Sequence, residues 1–335
     1  MFTLPPDRLP LLVTGVAGVT GYNALDYFHR RYPGQVIGIR QQDNWRLAGP
    51  HIVACDAEDH VELGRLFDEH QFRSVLNCAG NCALKACELD SRLAWRTNVE
   101  GLQNLLSHVV ERGARMVHTS IDLVFSGDDA QRNGHVETDR PDPVTVYGKT
   151  MVAGEQLIDD WYPQTCVLRI SLPMGISFNG HAGAIDWIQS RFAKDRPATL
   201  YFDEIRTPTY TDCLNLLFEE LLASDFAGLY HSGGPRRLSL YEIAQVVNRV
   251  GGYDPDLLQG CPRLDAGPIP PRAGNVAMRS AKLTEHLGRE PFDPWPLDEK
   301  WVPTDRDWHY NRSGEAGSAE LLAEVLYRNP RRTGI

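Results

Sequence analysis

The sequence predicts an α/β protein: a doubly wound parallel sheet followed by a smaller C-terminal part. Three observations carry this. Short apolar runs bounded by Pro or Gly alternate with helical patterns from residue 11 to residue 170. A glycine-spaced turn joins the first run to the first helix. The alternation then stops near Ser171, and the rest is less regular and richer in Pro and Gly. At 335 residues the chain has the length of about two domains. The expected division gives 1–172 to the sheet, with a return to it at about 205–232. Residues 173–204 and 233–335 form the second part and its tail.

Pro10 marks the entry of a first strand at 11–14, a short apolar run of the kind buried in parallel sheets. A helix is expected at about 22–31, ended by Pro33-Gly34, and strands at 35–39 and 51–55. A helix at 61–70, a strand at 74–77, one long helix at 93–113 and a strand at 115–120 follow. A helix at 147–161 and a strand at 165–170 complete the alternation. Beyond it the pattern gives a helix within 180–197, a helix at 209–224 and a short strand at 228–231. Ser239 and Glu242 form a capping box for a helix at 238–250. Residues 251–275 read as loop, and 318–328 as a last helix. Trp295, Trp301 and Trp308 lie among prolines and acids before it; such aromatic segments usually fold against their own domain.

Composition excludes several classes. Apolar residues make up 42% and charged residues 23%, as in a globular protein with a sizeable core. The 34 basic against 44 acidic residues leave a net charge of −10, which argues against a nucleic-acid or anionic-membrane surface. The seven cysteines (Cys55, Cys78, Cys82, Cys87, Cys166, Cys213, Cys261) have no zinc-type pairing, so free thiols and no metal site are expected. The N-terminal stretch lacks a basic region before its apolar run, and no stretch reaches the roughly 20 apolar residues of a membrane span. A cytoplasmic protein is expected. Only five lysines occur (Lys85, Lys149, Lys194, Lys282, Lys300), so chemistry that needs a lysine has few candidates.

The turn after the first strand reads Thr14-Gly15-Val16-Ala17-Gly18-Val19-Thr20-Gly21. The first glycine suits a tight turn, the second a close approach of backbone to phosphate, and the third helix-strand packing. Lying between a strand and a helix, Gly15, Ala17, Gly18, Val19, Thr20 and Gly21 are candidate contacts for a dinucleotide pyrophosphate. Arg40, at the end of the second strand, suits a 2′-phosphate and favours NADP over NAD, though NAD stays open. Asp56, past the third strand, is a candidate acceptor for the adenine amino group.

Further segments carry a family resemblance: CDAED (55–59), LNCAG (76–80), TSIDLVFSG (119–127), VYGKTMVAGE (146–155), VLRIS (167–171), RTPTYTDC (206–213) and LSLYEIA (238–244). With the glycine turn, their order resembles the extended short-chain dehydrogenase/reductases. It is most similar to the dTDP-4-dehydrorhamnose reductase group, which in turn resembles the beta subunit of methionine adenosyltransferase. The resemblance implies a Rossmann sheet with a C-terminal substrate part, cofactor contacts from Cys78, Ala79 and Gly80, and hydride transfer to a keto group on a nucleotide-linked sugar. It also implies a proton-donating Tyr, a Lys four residues later that lowers its pKa and holds the nicotinamide ribose, and a Ser or Thr on the carbonyl oxygen.

Tyr147 fits the proton donor, but Met151 stands at the lysine position and Ile121 at the Ser/Thr position. Lys149 is only two residues from Tyr147, on a different helical face. Losing a charge at about 4 Å removes roughly 4 kcal/mol of interaction at an effective dielectric of about 20. Either the site is rebuilt, with Tyr147, Ser120, Asp122 and His118 as candidates, or the protein is a cofactor-binding regulatory or structural subunit. On the substrate side, Arg206 is a candidate diphosphate ligand, with an ion pair to Asp203 or Glu204 as its alternative. Asn179, His181 and Trp187 lie where substrate loops occur in this fold, and Arg272 is a second candidate anion contact. A homodimer is an analogy from the fold.

Overall fold

The structure, a computed structural model, describes residues 3–128, 134–180, 183–312, 314 and 316–327. Seven strands form one sheet: β1 (Leu11–Thr14), β2 (Val36–Arg40), β3 (Ile52–Ala54), β4 (Ser74–Asn77), β5 (Arg115–Ile121), β6 (Cys166–Ile170) and β7 (Gly228–Ser232). Their spatial order is β7-β6-β5-β4-β1-β2-β3, and every pairing is parallel. The order reverses between β1 and β4, which opens a crevice at their carboxyl ends.

Alternation along each strand feeds two cores. Leu11, Val13, Leu76, Val117 and Leu168 face α1 (Val19–Arg31) and α8 (Thr211–Ala223). Leu12, Val75, Met116 and Val167 face the other side, where α2 (His60–His70), α5 (Gly101–Arg112) and α6 (Val146–Trp161) lie. The first core continues into the C-terminal part through α7 (Ala184–Phe192) and α9 (Leu240–Val250), so the second part shares its interior with the sheet. The tail folds onto the chain itself. Trp295 is fully buried, Trp308 lies 4.1 Å beneath the Arg249 guanidinium, and Gln245 on α9 donates to the Asp305 and Arg306 carbonyls. Helix α11 (Ala319–Leu326), capped by Ser318, closes over it.

Several elements differ from the sequence reading. The long helix expected at 93–113 is interrupted: α4 (Ser91–Trp95) passes into a π-turn at Arg96–Glu100 before α5 begins. The cause is tertiary. Asn98, inside that turn, accepts from the Asn81 backbone N–H at 2.6 Å and donates to the Thr150 hydroxyl at 2.8 Å. Short helices α3 (Leu84–Leu89) and α10 (Ala281–Leu287) were too brief to give a periodic signal. The stretch read as loop holds a strand, Leu258–Cys261, paired in parallel with Ala198–Tyr201. Among the described residues no helix is long and apolar enough to cross a membrane.

Candidate functional site

The glycine turn sits at the switch point. Gly15 has φ +65°, and a Cβ there would lie 2.2 Å from the Cys78 carbonyl at the end of β4. A Cβ on Gly21 would lie 2.4 Å from the Gly15 carbonyl. Both glycines are demanded by the fold's own close packing. Gly18 is different. It is the N-cap of α1, with φ −82°, and a Cβ there would meet nothing nearer than the Gly15 carbonyl at 3.4 Å. Internal packing does not require that glycine. No side chain caps α1 and no acid occupies its first turn, so its backbone N–H groups and dipole face the crevice. This turn fits a dinucleotide pyrophosphate.

Arg40 ends β2 and bends toward its own loop, donating to the Gln41 and Gln42 carbonyls at 2.9 and 3.2 Å. Asp56 accepts from the Gln42 N–H at 3.0 Å, so it shapes the loop around Arg40. That use of one carboxyl oxygen was not anticipated.

At the opposite end of the crevice Tyr147 opens α6. Its neighbour Gly148 is needed because a Cβ would lie 2.2 Å from the Leu123 carbonyl, which docks the helix start against the chain leaving β5. Tyr147, Met151 and Phe125 share one apolar cluster, and Ile121 packs against it. Lys149 is exposed while Tyr147 and Met151 are buried, as the helical phase requires. Burial raises the Tyr147 phenol far above its usual range; the Cys82 thiol and Asp122 add to the rise, and Arg206 opposes it. Nothing in the sequence of the loop carrying Cys82 marks it as a neighbour of Tyr147.

Three expected site residues are spent inside the protein. Ser120 donates to Glu155, whose carboxylate also takes two hydrogen bonds from Arg169 at 2.8 and 2.6 Å. Its hydroxyl is therefore committed and not available to replace the missing Ser/Thr. Asp122 is fully buried and receives the Arg206 guanidinium bidentately at 2.7 and 2.6 Å and the Ser171 hydroxyl at 2.6 Å. Asp122 is thus a structural acceptor rather than an acid-base group, and Arg206 is buried against it rather than open to a diphosphate. Glu204 stands 3.6 Å from Arg206 as well. The expected alternative partner Asp203 instead receives the Arg263 backbone N–H.

Arg272 is the more accessible arginine: it stacks over the Tyr201 ring at 4.5 Å and lies 3.6 Å from Glu204. Trp187 is half exposed on α7 rather than in the core, and Asn179 is exposed in the loop before it; His181 lies outside the described residues. Among the described residues no lysine stands in for the missing cation. Lys282 donates to the Leu229 carbonyl, Lys194 to Ser190, and Lys85 is exposed on α3.

The seven-stranded parallel order and the glycine turn at the switch point define a Rossmann-type α/β protein. Solved structures agree in fold: dTDP-4-dehydrorhamnose reductase from Bacillus anthracis in complex with NADP superposes with a TM-score of 0.73 at 20% identity, covering 85% of this chain and 95% of that one. UDP-glucose 4-epimerase of Thermus thermophilus, in complex with NAD, gives 0.71 at 22%, covering 84% and 93%. Over residues 10–298 the sequence matches the RmlD substrate binding domain, and the chain belongs to that family. A dTDP-4-keto-6-deoxy-D-glucose reductase of Streptomyces niveus is 27% identical over 280 residues, 82% of this chain and 91% of that one. Methionine adenosyltransferase 2 subunit beta of Xenopus laevis is 25% identical over 320 residues, 90% and 92%. Reductases and a subunit of another enzyme thus stand at similar distance.

Proposed function

We propose that the protein is an NADP(H)-dependent reductase of a nucleotide-linked keto sugar, NAD being the second cofactor choice, in which Tyr147 works without the usual cation. The observation that carries this reading is the burial of Tyr147, near the start of α6, in one apolar cluster with Met151 and with Ile121 at the end of β5. The cofactor supplies the hydride. Gly15–Gly21 would hold its pyrophosphate, Cys78, Ala79 and Gly80 would line its path, and Arg40 with Asp56 would receive the adenosine end. Tyr147, held as a neutral phenol before the step, would give its hydroxyl proton to the developing alkoxide, be left as a phenolate, and take a proton back from water before the next turnover. Arg272 is the candidate for the substrate diphosphate, with Trp187 and Asn179 at the rim. The setting is a cytoplasmic one, and a homodimer is in keeping with the fold.

A second reading has its own support. With apolar side chains at 151 and 121, and with Ser120, Asp122 and Arg206 hydrogen-bonded inside the protein, the chain is also suited to be a cofactor-binding regulatory subunit. Single-turnover oxidation of NADPH with a dTDP-linked 4-keto-6-deoxy sugar separates the two. The reductase reading expects turnover that Tyr147→Phe abolishes. Tight NADPH binding without turnover, together with co-purification of a partner enzyme, overturns it in favour of the subunit.

A further inference from the structure

His118 lies in β5 with 2% exposure and belongs to neither ion-pair network. Its Nδ1 is 2.8 Å from the Asn77 amide nitrogen. The Asn77 side-chain oxygen accepts from the Ala79 backbone N–H at 3.2 Å and from the Thr14 hydroxyl. A backbone N–H can only donate, so that atom is the oxygen and the group facing His118 is the amide NH2. The amide therefore donates to Nδ1, and a neutral imidazole accepting at Nδ1 carries its proton on Nε2. Burial lowers the His118 pKa to about 4, so the ring is neutral near pH 7. Nε2 is buried and finds no hydrogen-bond partner among the described residues. The ring borders a small recess lined also by Thr14, Asn77, Ala79, Asn98 and Met151, with room for about one water-sized group.

A buried N–H donor in a recess of that size, walled largely by apolar groups such as Leu102 and Leu105 but reached by Thr14, Asn77 and Asn98, calls for an acceptor that also has hydrogen bonds to give. The recess reaches the chain leaving β4: a Cβ on Gly80 would sit 3.7 Å from the Asn98 oxygen and 3.9 Å from the Met151 sulfur. A thioether offers only a weak acceptor there. We propose that the recess is a binding site for one water that accepts from His118 Nε2–H and, through it, makes His118 a positioning residue for a ribose hydroxyl of the dinucleotide at the Ala79–Gly80 turn. This rests on the cofactor reading above. It divides two tasks that one lysine would perform: holding a ribose hydroxyl passes to neutral His118 and its water, and charging the neighbourhood of Tyr147 is given up.

The test uses the full chain. In histidine-15N-labelled protein without cofactor, His118 should show the Nε2–H tautomer with an accepting Nδ1. NADPH titration by fluorescence should find His118→Phe weakened about tenfold, the worth of one hydrogen bond. His118→Gln, whose amide can donate into the recess, should stay within about threefold of wild type. An Nδ1–H tautomer, or a folded His118→Phe that binds NADPH as tightly as wild type, overturns the proposal. A wild-type protein that binds no NADPH overturns the cofactor reading instead, and the apo spectrum still decides whether His118 is built to donate into the recess.

Discussion

The two ends of the crevice use their residues in opposite ways. At the glycine turn the first backbone N–H groups of α1 have no side-chain cap and no acid beside them. Gly15 and Gly21 satisfy the fold's close packing, whereas a Cβ at Gly18 would meet nothing nearer than 3.4 Å. At the Tyr147 end, the polar side chains that chemistry would draw on are consumed internally: Ser120 by Glu155, Asp122 by Arg206 and Ser171. A site for binding can be built from peptide groups that every residue carries. A site for proton transfer needs particular side chains left uncommitted, and Ser120 and Asp122 are not.

The sharpest way to probe the committed end is to break its ion pair. Arg206→Met leaves Asp122 buried without its counter-charge, and chemical denaturation should register a loss of about 3–5 kcal/mol. A loss under about 1 kcal/mol would mean that Arg206 is free to serve a ligand after all. Next is Met151→Lys, which puts an ammonium where the resemblance places it. If Tyr147 is a working proton donor, single-turnover reduction should rise by roughly two to three orders of magnitude, within the ~4 kcal/mol such a charge is worth. The phenol should then titrate lower by ultraviolet difference spectroscopy. No change in either would favour the subunit reading.

Acid sensitivity comes third. His118 is a base whose pKa falls on folding from 6.5 to about 4. In that window the unfolded chain binds a proton that the native chain refuses. Its contribution is therefore complete above about pH 6.5 and declines as the pH drops toward 4. It amounts to about 3 kcal/mol at most. Urea unfolding at pH 7 and pH 4.5 should show a shallower decline for His118→Phe than for wild type. The smallest effect concerns the open end. Gly18→Ala should change stability by under about 0.5 kcal/mol while weakening NADPH about tenfold. Gly15→Ala, strained at φ +65° and pressed on Cys78, should cost more than about 2 kcal/mol. Equal stability losses for the two would erase the distinction between fold glycine and ligand glycine.

Much of this was legible because it depends on local sequence. The six strands of the first 170 residues are short apolar runs between turn residues, and the return at 228–231 has the same form. The glycine turn was readable because its three glycines recur within seven residues between a strand and a helix, although the carbonyl that Gly15 must avoid belongs to Cys78. The π-turn at Arg96–Glu100 was not, since Asn98 is drawn out of helical pattern by Asn81 and Thr150, the latter 52 residues away. Arg206 was weighed against its sequence neighbours Asp203 and Glu204, but its main partner is Asp122, 84 positions earlier. Ser120 and Glu155 likewise meet across 35 positions.

The parallel sheet, the glycine turn and the lack of a cation one helical turn beyond Tyr147 can all be read from the chain alone. These follow from periodicity, glycine sterics and helical phase, which act over a few residues. Only the tertiary structure decided which polar side chains are free. A buried charge must find its counter-charge wherever the fold brings one near, and that distance in space leaves no trace in the spacing along the chain.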